Sequence, residues 1–413
     1  MHNKSLYLRI STWRIGYYCA LYIVIWAITP ILSQGVLYRY IAVGAALIWF
    51  LTIFPRNRQR KLFNYAIYSI LLITINFLTI GVFGKNIGSA IPTTINLFVF
   101  CMLGMISTYY FENVKEKFIP FALVVLVLYI IISVPSIIAL RSNAYILRNA
   151  SGIYIRTGSE RYAGGYGYAF GCLFLIIFLT YDLRAHKQDV FSKTVTLFLI
   201  ILFGYVVLNA GYTTALVLLS IGFFSALFFP KKNVVFATLI MIIAALILMM
   251  IVPAMLKWVV DNVELPYVYR AKIRYLSLLA NSSGDVTYAD STRGALFYAS
   301  LESMIKYPVL GSYILSGNPA SGGHAVLLDL LVSGGVFYFI IYFYIVVLTP
   351  WRLMKEDKTL QIVYLTLIIL LGLTDTFDYA TMAIPLFIGP VIAERSIRTG
   401  KDNINEGSMV NWN

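Results

Sequence analysis

Histidine is scarce in this chain: His2 lies in the N-terminal tail, His186 in a short basic loop, and His324 at the start of an apolar run. The approach to His324 is rich in glycine (Gly311, Gly317, Gly322 and Gly323), with Asn318, Pro319 and Ser321 between. Such a stretch makes an irregular loop, and irregular backbone at membrane depth should line a wet cavity. An imidazole in that position suits a general base, because it is neutral and able to accept a proton near pH 7. Asp329 follows within the same apolar run, and an ionisable group inside a membrane span is costly enough to count as a functional hypothesis. A histidine that only caps or decorates a helix end is the competing reading. Asp375 and Asp378, near the end of a later apolar run, are spaced to face one cavity as orienting or acceptor-binding groups. Capping or turn chemistry accounts for them equally well.

The arginines are the second chemical signal. One segment, 141–164, holds Arg141, Arg148, Arg156 and Arg161 against the single acid Glu160. Another, 256–325, holds Arg270, Arg274 and Arg293 with Lys257, Lys272 and Lys306, partly balanced by Asp261, Glu264, Asp285, Asp290 and Glu302. A planar guanidinium presents paired donors to phosphate oxygens, so Arg156, Arg161, Arg270, Arg274 and Arg293 are candidates to clamp a diphosphate. Ion pairs with the nearby acids, or contacts with anionic lipid headgroups, are the alternative for each. Gly165, Gly167 and Gly171 miss the dinucleotide spacing; Gly167 and Gly171 form instead a small-xxx-small pair suited to close helix packing. No HExxH, CxxC or paired-aspartate motif stands beside these residues, so the chemistry is expected to run without a metal or other cofactor.

What must position these groups is a set of membrane helices. The 413 residues are 60% hydrophobic and only 12% charged, with mean hydropathy +0.81, against roughly a quarter charged in soluble domains. Apolar runs long enough for a ~30 Å hydrocarbon layer recur at 16–33, 36–54, 62–83, 92–110, 118–140, 165–182, 194–210, 212–230, 233–255, 326–349, 360–377 and 379–394. The expectation is an all-α polytopic membrane protein of about twelve helices, with transmembrane helices 1–9 in residues 1–255, a large helical external loop in 256–325, helices 10–12 in 326–394 and a tail over 395–413. The net charge of +14 forms no continuous basic stripe and does not call for nucleic acid. Most of the basic residues fall in alternate short loops: Arg56, Arg58, Arg60 and Lys61; Lys115 and Lys117; Arg184, Lys187 and Lys193; Lys231 and Lys232; Arg352, Lys355 and Lys358; Arg395, Arg398 and Lys401. The opposite short loops hold only Arg39 and Lys85, which puts both termini in the cytoplasm. His324 is then the one external imidazole. Cys19, Cys101 and Cys172 lie inside apolar runs with nothing to pair with, and the first run, lacking a clear cleavage site, reads as an uncleaved helix.

Within 256–325, Arg270 and Arg274 share a face if 267–280 is helical. Asp290, Ser291 or Thr292 can cap a second helix carrying Leu296, Phe297, Leu301, Met304 and Ile305 and ending at Pro308. These two helices are expected to pack on the membrane domain through Ile273, Leu276, Leu301 and Ile305, as a lid.

Three stretches carry a family resemblance. Ser291-Thr-Arg-Gly-Ala-Leu-Phe with Tyr307-Pro-Val-Leu-Gly311 resembles the arginine-helix-PxxG segment in the large periplasmic loop of Wzy-type O-antigen polymerases and O-antigen ligases. Gly323-His324-Ala-Val-Leu-Leu-Asp-Leu-Leu-Val-Ser-Gly-Gly335 is similar to that family's histidine-led helix, and Arg161-Tyr-Ala-Gly-Gly165 to its arginine-glycine motif. The chain departs from the pattern at Ala325, where members often have asparagine, and at Gly211-Tyr-Thr-Thr214, where they often have a Ser-Arg pair; neither contact carries over. The resemblance implies a GT-C-type fold in the bacterial inner membrane and a site facing the periplasm. It implies as substrate an oligosaccharide on undecaprenyl diphosphate, polymerised onto the next lipid-linked repeat unit, with membrane lipid and a chain-length regulator protein as partners. On the motif matches, His324 is the base and Arg161 with Arg293 the favoured clamp; Arg156, Arg270 and Arg274 rest on charge and spacing alone. An O-antigen ligase using the same donor and a flippase for the same lipid-linked sugar are the rival readings.

Overall fold

The computed structural model describes residues 2–53, 60–142, 147, 162–186, 188–210, 212–228, 258, 261–264, 295–317, 325–375 and 378–395. Among them there is no strand. The helices are α1 (His2–Ile28), α2 (Pro30–Gln34), α3 (Val36–Ile53), α4 (Arg60–Phe77), α5 (Ile87–Asn113), α6 (Lys115–Ser142), α7 (Tyr166–Ala185), α8 (Val190–Ala210), α9 (Thr213–Phe228), α10 (Ala295–Lys306), α11 (Gly311–Ser316), α12 (Val326–Tyr342), α13 (Leu348–Leu353), α14 (Lys358–Thr374) and α15 (Tyr379–Ala383). Widened π-helical turns prolong α4 (Leu78–Phe83), join α12 to α13 (Phe343–Val347) and prolong α15 (Ile384–Ile388). The expected apolar runs fall on helices, with the first, 16–33, broken at Thr29 between α1 and α2 and the eleventh, 360–377, helical only to Thr374; the ninth, 233–255, lies outside the described residues. Among the described residues, six helical segments are long and apolar enough to cross a membrane, while 13–28, 37–53, 214–228 and 358–374 are shorter apolar helices.

Helix α7 is the axis of the packing. Its apolar stretch is 89% buried, against 22% for α8. Two glycines let neighbours reach it: a Cβ on Gly171 would lie 1.9 Å from the Tyr129 hydroxyl, and one on Gly167 would meet the Asp378 carboxylate. Tyr129 stacks on Tyr168 and donates to the Ala380 carbonyl at 2.7 Å, tying α6, α7 and α15 together. The small-xxx-small pair thus works as close-packing sites. On the outside, Ile119, Leu123, Val127, Ile131, Val134 and Ile138 of α6 are all exposed, and their three- and four-residue spacing makes one continuous apolar stripe. Water would not tolerate that face; lipid does.

Ion pairs cluster at one end of the bundle. There Lys61 pairs with Glu112, Lys115 with Glu394 and Arg395 with Asp182, and the Arg184 guanidinium donates to the Ala226 carbonyl. The other end gathers the α1–α3 turn, the start of α5, the start of α7, α10 and α11, and the α14–α15 connection.

The segment 256–325, expected to be external, is only partly described, and it corrects two expectations. Helix α10 matches the second expected helix and stops before Pro308. However, Ile305 is 76% exposed rather than packed on the membrane domain, and Leu301 is half-buried; the buried contact is Ser300. The side-chain spacing was right, but a polar tether to Asp329 sets which face turns inward. Within the stretch expected to be irregular, Ser312–Ser316 contains no breaker and forms α11, which Gly317 ends in the left-handed conformation (φ 70). The first expected helix, 267–280, lies outside the described residues.

Candidate functional site

The site is made by a break in a membrane helix. At Gly335 in α12 the backbone takes φ 76 and ψ −179, a combination essentially reserved for glycine. The break deprives Val336 of its helical acceptor, and its N–H instead donates to the Pro308 carbonyl at 3.1 Å. The Pro308–Gly311 turn fits directly into the gap. A Cβ on Gly335 would lie 2.1 Å from the Val309 carbonyl oxygen, and one on Gly311 (φ 76) would lie 2.4 Å from that of Ser333. The PxxG turn and the glycine pair of the histidine-led helix, separate in the sequence, are one backbone-to-backbone joint.

Beside this joint is a cavity of about 460 Å³ bounded by α4 and its π turn, α5, α11, α12 and the α14–α15 connection. Its walls are mostly apolar, with Leu97, Phe100 and Leu330 among them, and carry Asn76, Thr79, Asn96, Asp329, Ser333 and Asp378, with tyrosines from several helices. The Tyr338 hydroxyl donates to Asn76 Oδ1 at 2.9 Å, and Asn76 Nδ2 donates to Thr94 Oγ1 at 3.1 Å. Asn96 Oδ1 is buried and has no hydrogen-bond partner. Two carboxylates and an unpaired amide oxygen face the space, and among the described residues no lysine or arginine lines it. Such a wall accepts hydrogen bonds and asks for a ligand rich in donors.

Asp329 sits in the first turn of α12, where its Oδ2 takes the Ala325 N–H at 3.0 Å and its Oδ1 the Ser300 hydroxyl at 3.1 Å. One side chain thus caps the helix, holds α10 and faces the cavity. Asp378 caps α15 by accepting the Thr381 N–H at 2.9 Å, and it also faces the cavity. It lies open to that space with protein on its other sides, and desolvation pushes its carboxyl above the usual carboxylate range, against the lowering effect of the Thr381 bonds. Asp375 is different. Its side chain is buried away from the cavity wall, while its backbone carbonyl accepts the Val326 N–H at 3.2 Å and seats the start of α12. Of the two acids expected to share one cavity, only Asp378 lines it.

His324, Arg156, Arg161, Arg270, Arg274 and Arg293 lie outside the described residues. Their described neighbours stand at the cavity end: Ala325 is the N-cap of α12 under Asp329, and Gly164, close to Arg161 in the chain, donates its N–H to Ser136 Oγ at 2.8 Å. Among the described residues no cluster of three histidine, cysteine or acidic side chains is placed to hold a metal.

Three features were not read from the sequence. Arg39, counted only as an exception to the charge bias, stands at the cavity end with its Nε buried and unpartnered. Asn76 and Asn96 are polar residues within apolar runs, a signal that was present and not used. At the opposite end, His186 is buried rather than loop-exposed: its Nδ1 lies 2.7 Å from Asp182 Oδ1, while Asp182 Oδ2 accepts Gln188 Nε2 and Arg395 Nη1. The i,i+4 spacing of Asp182 and His186 was the available clue.

No protein-family model matches the sequence, and no curated protein matches it either. Fold and outer surface define an all-α membrane protein. Its site is a cavity of largely apolar walls carrying two carboxylates, at one end of the helix bundle and beside a loop locked into a broken helix.

Proposed function

We propose that the protein is a membrane glycan polymerase that moves a growing chain from undecaprenyl diphosphate onto the next lipid-linked repeat unit. The observation that carries this reading is the cavity itself: two carboxylates, amides and tyrosines around about 460 Å³, a lining suited to sugar hydroxyls and to the faces of sugar rings. It adjoins the joint between the two motifs that resemble the polymerase and ligase family. In the proposed reaction an acceptor hydroxyl oxygen attacks the anomeric carbon of the donor, the bond from that carbon to the diphosphate oxygen breaks, and His324 takes the hydroxyl proton. Arg161 and Arg293, with Arg156, Arg270 and Arg274 as further candidates, receive the charge on the departing carrier diphosphate. Asp329 and Asp378 orient the acceptor. The reading includes about twelve crossings, a GT-C-type fold, both termini in the cytoplasm of a bacterial inner membrane and the cavity on the periplasmic face.

Deletion of the gene in its native host, followed by gel analysis of lipopolysaccharide, tests it. Core carrying a single repeat unit is the expected result. Core alone points to the ligase or flippase, and an unchanged ladder refutes all three.

A further inference from the structure

Arg39 is unexplained by the packing around it. It stands in the first turn of α3, where the helix dipole disfavours a cation. Its Nε is buried without a partner, and among the described residues no acid is within ion-pair reach of it. Its charge acts on the hydroxyl of Tyr379, a residue of the cavity wall, and the Trp26 ring lies 5.5 Å from that tyrosine. Trp26 Nε1 is likewise buried without an acceptor. This corner therefore holds donors lacking acceptors beside a cavity whose own lining is rich in acceptors. A half-buried guanidinium with no counter-charge destabilises a fold unless something supplies one. Phosphate oxygens fit, because the guanidinium fork takes them in pairs.

We infer that Arg39, beside Tyr379 at the edge of the cavity, is the seat of a lipid phosphate. The group belongs either to the diphosphate of a polyprenyl carrier or to the headgroup of an anionic phospholipid. The inference stands on the cavity and its donors and does not require the polymerase reading.

Thermal melting of the purified, delipidated full-length protein in detergent tests it, with undecaprenyl diphosphate, undecaprenol and phosphatidylglycerol as probes. For the wild type, a phosphate-bearing lipid should raise the melting temperature and undecaprenol should not. Arg39→Gln, relieved of an uncompensated charge, should melt at or above the wild type without lipid and lose the lipid-induced shift, with apparent affinity falling at least about tenfold. Arg39→Lys should keep part of the shift, since it keeps the charge and loses the fork. A shift confined to undecaprenyl diphosphate names the carrier as the source; one of equal size with phosphatidylglycerol names bulk lipid. Either supports the phosphate seat. An equal shift with undecaprenol, an unaltered shift in Arg39→Gln, or a lipid-free Arg39→Gln that melts well below the wild type overturns it, the last by showing that the arginine only holds the fold.

Discussion

Gly335→Ala isolates the joint that shapes the cavity. The alanine must hold φ 76 and ψ −179, which costs on the order of 1–3 kcal/mol for a side-chain-bearing residue. Its Cβ would also stand 2.1 Å from the Val309 carbonyl oxygen, so the two backbones must part by roughly 1 Å to restore ordinary contact. That movement breaks the bond from Val336 N–H to Pro308 O, worth about 1 kcal/mol and more if the N–H stays buried. The expected loss is therefore about 2–4 kcal/mol, focused on the seating of the Pro308–Gly311 turn. Two internal controls grade the series. Gly317→Ala carries the left-handed cost alone, because its nearest neighbour is the Phe83 carbonyl at 3.5 Å with φ 70; about 1 kcal/mol is expected. Gly44→Ala, in α3 with nothing within 4 Å, should be neutral or slightly stabilising, by up to about 1 kcal/mol. Thermal melting in detergent, with limited proteolysis of the 307–325 region as a local readout, ranks the three. If Gly335→Ala melts like Gly44→Ala and is cut no faster than wild type, the interlocked joint is wrong.

Gly171→Ala should destabilise because its Cβ would fall 1.9 Å from the Tyr129 hydroxyl, and Tyr129→Phe should recover part of that loss; purely additive melting shifts in the double mutant would contradict the contact. Asp378→Ala loses the cap of α15 and should cost about 1 kcal/mol, whereas Asp378→Asn keeps an oxygen for the Thr381 N–H and should cost much less. Because desolvation raises the Asp378 pKa above 3.8, its contribution to stability is full below that value and is lost as pH rises through the folded pKa; melting of Asp378→Asn across this acidic window should lack that component. His324→Ala should lower polymer synthesis on the order of 10²–10⁴-fold without loss of protein in the membrane, and wild-type-length glycan from that variant would remove the base assignment. Single cysteines at positions 283 and 188 should label from outside and not label, respectively; the reverse pattern would invert the topology.

The membrane helices were legible because a spanning segment is local: a long apolar run carries its own length and its own backbone hydrogen bonds. Asp329 was legible for the same reason, as an acid where acids are costly. The joint was not. Gly335 lies inside the single apolar run 326–349 with nothing to mark a break there, and its positive φ has meaning only with Val309 and Gly311 packed against it. Nothing near Gly335 in the chain specifies that partner. The orientation of α10 failed on similar grounds, since apolar periodicity points to Ile305, whereas the Ser300–Asp329 bond is a contact between distant segments. Arg39 was discounted because charge bias is a statistic over loops and says nothing about whether one guanidinium is paired.

The distribution of donors and acceptors constrains how any lipid diphosphate can bind. Carboxylates at Asp329 and Asp378 face the cavity, and among the described residues no lysine or arginine lines it. Two unit charges 4 Å apart still repel by roughly 4 kcal/mol at an effective dielectric near 20, so a diphosphate inside these walls would need both acids protonated or both displaced from their caps. Displacing them would release the Ala325 N–H, the Ser300 hydroxyl and the Thr381 N–H together. Under the proposed phosphate seat, the phosphate lies at the rim with Arg39 and the donor-rich portion of the ligand inside. A lipid-linked sugar meets that requirement in the right order, with the hydroxyl-bearing part and the anionic part joined end to end. Among the described residues, a ligand whose anionic group entered the cavity first would meet the carboxylates before any cation.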